Sequence, residues 1–311
     1  MAAVIKLKRG TSTPSTSDIA NGEVAVDTSA AKLYINDSGT VKEIGGGGGG
    51  GVTSDAQRNT VAGTNAGANF SGTSASDNTL FGYDAGNDIT SGDKNVFIGK
   101  AAGEKQTTGA ANIAIGHNAF KTSTSGQYNV AIGRSAGEKI NSNKNVAVGY
   151  EALADATSSE ESVFIGWGAG TSITTGSFNV GIGQYAGAGE YNNATGNYNT
   201  SIGHEAGKRI STGSSNSVLG VFSGDNITTG SNNVCIGANS GDTGTNNLTT
   251  GSNNILIGHD SQATAADVSN EITIGDTNIT KFRIPGLNFV VKDTTATDNY
   301  VLTVDANGEA G

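Results

Sequence analysis

Large apolar residues along most of this chain come in pairs separated by one residue, and the pairs recur at a fixed interval. A block N-x-x-φ-G-x-x-[A/S], where φ is large and apolar, begins at Asn78, Asn95, Asn112, Asn129, Asn145, Ser162, Asn179, Asn199, Asn216, Asn233 and Asn254. The spacings are 17, 17, 17, 16, 17, 17, 20, 17, 17 and 21 residues. Asn59 opens a looser first block, and residues 271–275 form a degenerate last one. The first and third residues after each Asn, such as Val130 and Ile132, share a face at the period of a strand. The residue between them points the other way and is often small, as at Ala114, Ala131 and Ala147. Each block therefore predicts one short strand ended by a glycine that permits a bend. A second turn is expected near Gly92, Gly109, Gly126, Gly176, Gly213, Gly230 and Gly251.

A strand and two bends every 17 residues describe one coil of a solenoid, with coils stacking about 4.8 Å apart. The expected fold is all-β, a parallel β-solenoid of about 13 coils. Its structural repeat is carried by pairs such as Asn95 and Gly99, Asn112 and Gly116, Asn129 and Gly133, and Asn145 and Gly149. Stacked Asn amides can hydrogen-bond in a ladder. A 17-residue coil with two to four large apolar side chains encloses little core, so oligomerisation is expected to supply stability. The small-residue face is the expected seam between chains.

Composition narrows the classes. The 311 residues include 48 glycines and only 2 prolines, and a helical protein would not carry this much glycine. No strict Gly-X-Y period appears, which excludes collagen. The net charge of −10 argues against a nucleic-acid partner, and no apolar run is long enough for a membrane-embedded helix. The single Cys235 forms no intrachain disulfide, and with three histidines it leaves no Cys/His zinc site within one chain. No cofactor is expected. Residues 1–9 lack the apolar core of a signal peptide, so the chain is expected to be made in the cytoplasm.

Candidate chemistry is sparse. No GxSxG elbow or phosphate-cradling loop precedes a helix, so no enzyme is expected. The residue after the block glycine varies but is usually long, and all three histidines, His117, His204 and His259, fall in that register. Two coils carry extra residues, around 188–196 and 242–251. Insertions in solenoids map to loops on a binding face. Tyr185, Tyr191, Asn192, Asn193 and Tyr198 bracket or fill the first insertion and are the candidate receptor contacts, with rings to stack on sugars and amides to bond hydroxyls.

The repeat, read as NVFIGKAAG at 95–103 or NVAIGRSAG at 129–137, resembles the heads of trimeric autotransporter adhesins. That resemblance implies a parallel β-roll assembled as an intertwined or side-by-side homotrimer. The pattern LKRGT, GEVAVD at 22–27 and KLYIND at 32–37 resembles the virion-proximal module of bacteriophage tail-fibre and tropism-determinant proteins. Together these imply four parts: a docking β module at 1–44, a Gly-rich linker at 45–58, a solenoid shaft at 59–277, and a C-terminal β cap or connector at 278–311. The implied function is a trimeric tail fibre of a phage virion, joined to baseplate or tail proteins and contacting a host-surface glycan or protein. The alternative is the head fragment of a bacterial trimeric surface adhesin.

Overall fold

The computed structural model describes residues 8–28, 32–38, 40–44, 53–71, 74–189, 194–244 and 246–281. The run Gly45–Gly51, the insertion residues Tyr191, Asn192 and Asn193, and most of the expected C-terminal cap lie outside the described residues. Two compact units divide the chain after Asp276, and the features below belong to the first. Among the described residues there are strands and turns but no helix.

Near the N-terminus, β1 (Lys8–Gly10), β2 (Val24–Asp27), β3 (Lys32–Asp37) and β4 (Thr40–Ile44) form a four-stranded sheet in sequence order. The β1–β2 pair is parallel, and the next two pairs are antiparallel. Ile19, Ala25 and Tyr34 are buried there, and the Asn36 amide donates to the Ile19 carbonyl at 2.7 Å.

The repeats form a second sheet of fourteen strands, ordered without crossover from β5 (Thr53–Ser54) through β6 (Thr60–Ala62) to β18 (Ile272–Ile274). β5 pairs antiparallel with β6, so the sheet starts inside the segment expected to be linker. All later pairs are parallel and in register, Val130 beside Val146 and Ile132 beside Val148. The fold is a parallel β-solenoid, one three-residue strand per turn.

Two columns explain why this sequence stacks. Asn95 donates from its backbone N–H and from Nδ2 to Asn78 Oδ1, at 2.9 and 3.1 Å, and Nδ2 also donates to the Gly109 carbonyl at 3.0 Å. Asn112, Asn129 and Asn145 repeat the bonds to the Asn before them. These amides are almost completely buried. Such side chains are tolerated inside only because each finds partners in the neighbouring coil. The second column is the block glycine. At Gly99 the backbone has φ +133°, and an added Cβ would stand 2.6 Å from the Gly116 carbonyl oxygen. Gly116 meets Gly133, and Gly133 meets Gly149, in the same way. The glycine therefore serves close stacking of coils as well as the bend.

The core reverses one sequence expectation. In the strands from Thr79–Phe81 to Ile255–Ile257 the middle residue is buried, and the flanking ones are half-buried or exposed. Ala114, Ala131 and Ala147 face the inside of their own coil and are fully buried there, so the small-residue face is not free to meet another chain. Small residues occupy that site because the opposite wall of so narrow a coil sits close. Volume is exchanged between two interior positions. Where the strand centre is Phe97 or Phe164, the residue six further on is Gly103 or Gly170, and a Cβ there would strike the ring at 2.3 or 2.5 Å. Where the centre is Ala114 or Ala147, that residue is Phe120 or Leu153, fully buried.

Candidate interaction surface

Turning the small residues inward leaves the larger ones outward. Ile98, Ile113, Ile132, Ile165, Ile182, Leu219, Ile236 and Ile257 are each 36–47% exposed. They lie in two columns on one face of the sheet, one of which runs from Phe81 through Ile98, Ile115, Ile132 and Val148 to Ile274. Thr200 and Ser217 interrupt the other column. Thirteen parallel strands about 4.8 Å apart and three residues wide make a face of about 600 Å². That is the upper end for the largest apolar patch on a typical monomer.

Aromatic rings line the turn beyond the block glycines. Tyr150 and Trp167 meet edge to face at 6.2 Å between centroids, and Trp167 and Tyr185 follow at 5.8 Å. The Arg134 guanidinium lies 5.4 Å from the Tyr150 ring centre, and Lys208 Nζ 5.5 Å from that of Tyr185. Cations placed over ring faces are attracted by the ring quadrupole. A hydrogen bond to Glu151 pushes the Tyr150 hydroxyl pKa up. Tyr185 therefore belongs to a run of rings on successive coils. Tyr198, another predicted contact, stacks on Phe178 at 4.9 Å in the position before the block Asn. The two tyrosines thus sit in different ring clusters.

The histidine register is uneven. His117 has Lys100 and Arg134 at the same position of the adjacent coils. His204 packs edge-on against Phe222 at 5.1 Å, with Glu205 Oε1 3.9 Å away. Only His259 has a carboxylate, Asp276, in its own register on the next coil.

Buried titratable groups lie at the turns and in the core. Asp225 is 7% exposed, and burial raises its pKa to about 6 against the opposing pull of Arg209, 3.9 Å away. Partial burial also raises the pKa of the half-buried Asp242, whose carboxylate accepts from the Asn226 amide. Cys235 is fully buried at a strand centre, and burial pushes its thiol up to about 12. A thiol held protonated is a poor nucleophile and a poor disulfide partner. Sequence reasoning missed the exposed isoleucine columns, because alternation marks two faces without saying which lies inside.

No protein-family model, curated protein or solved structure matches the chain.

Proposed function

We propose that the chain is a non-enzymatic structural subunit whose solenoid is the shaft of an oligomeric attachment fibre. The observation that carries this reading is the apolar face of about 600 Å² on the solenoid sheet. Water exposure of that face is unfavourable at roughly 25 cal/mol per Å². The occupant we assign to it is a second and third copy of the same chain. A copy brings the same 17-residue period, so its isoleucines meet these coil for coil along the whole face. The number three and the placement on a phage virion follow from the resemblances of the repeat and of residues 1–44. In this reading the shaft supplies reach and stiffness, and repeated weak contacts give avidity.

Sedimentation equilibrium of the full chain tests association, with a trimer expected. Replacing Ile132 and Ile165 by lysine is expected to give a folded monomer, since both side chains point outward. A folded wild-type monomer would overturn the reading. Immuno-electron microscopy of particles carrying the chain tests placement. Label is expected on projecting appendages, and label confined to the capsid shell would refute the fibre role.

A further inference from the structure

At the last coils of the solenoid, one imidazole and two carboxylates converge. One donor atom from each of His259, Asp260 and Asp276 lies within 4.8 Å of the other two. The repeat itself produces the convergence. Gly258 and Gly275 are register neighbours, because Ile257 pairs with Ile274, so His259 and Asp276 occupy the same corner one coil apart. Asp260 follows His259 in the left-handed conformation, φ 52°, which brings Oδ2 to 3.1 Å from His259 Nδ1. Its other oxygen accepts from the Asn239 amide at 2.8 Å, so the preceding coil orients the carboxylate. Ala238 fills the same corner of that coil and adds no bulky or charged side chain.

The geometry points to a divalent transition-metal site of the zinc class at His259, Asp260 and Asp276. A cation bound at about 2.0–2.2 Å from each donor requires the donors to draw slightly together. The His259 side chain, 68% exposed, is free to make that adjustment. An imidazole beside two carboxylates favours zinc, nickel or copper over magnesium or calcium, which prefer all-oxygen sets. Three protein ligands leave a coordination position open to water or another donor. The other histidines lack this arrangement, since His117 sits between two cations and His204 has no acid in its register on either adjacent coil. A bound metal would tie the coil of Asp276 to the one before it. The inference does not depend on the fibre reading.

Isothermal titration of the untagged full chain with zinc chloride provides the test. One saturable site per chain is expected, together with a zinc-dependent rise in unfolding temperature. His259→Ala and Asp276→Asn are each expected to weaken binding at least tenfold, the scale seen when even an outer partner of a metal ligand is lost. His117→Ala is expected to bind like the wild type. His259 and His117 are exposed and Asp276 is half-buried, and circular dichroism verifies that each variant is folded. Absence of saturable binding would overturn the proposal, as would an isotherm unchanged by both His259→Ala and Asp276→Asn. An equal isotherm with magnesium chloride would overturn the metal class.

Discussion

Single residues in this chain are constrained by the coil above as much as by their own backbone. Gly116 and Ala111 show the contrast. Both have positive φ, but a Cβ at Gly116 would stand 2.4 Å from the Gly133 carbonyl oxygen, whereas Ala111 already carries its Cβ at φ 57°. Gly116→Ala is expected to cost several kcal/mol, because backbone has to move in two coils. Ala111→Gly is expected to change stability by less than about 1 kcal/mol, since relief of the left-handed conformation offsets the added entropy of the unfolded chain. Chemical denaturation of both variants checks the pair. Asp225 allows a prediction with a definite pH sign. Its folded pKa of about 6 lies above the unfolded value, so the native state binds the extra proton and stability falls as pH rises from about 4 to 6. Asp225→Asn is therefore expected to stabilise the chain at pH 7 by up to about 3 kcal/mol, the free-energy equivalent of the raised pKa, in which the opposing pull of Arg209 is already counted. The gain should vanish near pH 4, and melting curves across that range measure it.

At the scale of one coil, the unit of design is a pair of interior positions sharing one volume. Ala114 with Phe120 fills the space that Phe97 with Gly103 fills one coil earlier. Phe120→Gly is expected to cost about 3–5 kcal/mol through the cavity it leaves. The double variant Ala114→Phe/Phe120→Gly re-creates the neighbouring arrangement and is expected to recover more than half of that loss. A double-mutant cycle with a coupling below about 0.5 kcal/mol would show that the two positions do not share volume. Ion pairs also run from coil to coil, as in Lys139 with Asp155 at 2.6 Å and Lys144 with Glu161 at 2.8 Å. Both pairs are exposed, so each contributes little to stability.

Across the whole solenoid, stability accrues from nearest-neighbour contacts, since each strand pairs only with the strand of the adjacent coil on either side. Removing residues 112–128, one complete period, is expected to leave a folded protein with a modestly lower melting temperature, because Asn129 then meets Asn95 in the same register. Removing half a period would place polar turn residues in the Asn and glycine columns and should abolish the cooperative transition. Circular dichroism melts distinguish the two.

The solenoid and its period were legible from residue order alone, because a glycine forced at every turn and an Asn bonded at every turn leave a strict spacing. The expected contacts around the 188–196 insertion were less legible, since Tyr185 and Tyr198 belong to separate ring clusters. Which face of each strand lies inside could not be read from alternation, for Val-Ala-Ile places apolar atoms on both sides. That choice fell to packing: the narrow interior pairs Ala114 with Phe120 and Phe97 with Gly103, takes in one side chain from each strand centre, and so sends Ile132 and its equivalents outward. The meeting of His259 and Asp276 was likewise hidden by the 16 residues between them, and only the stacking of one turn on the next makes them neighbours.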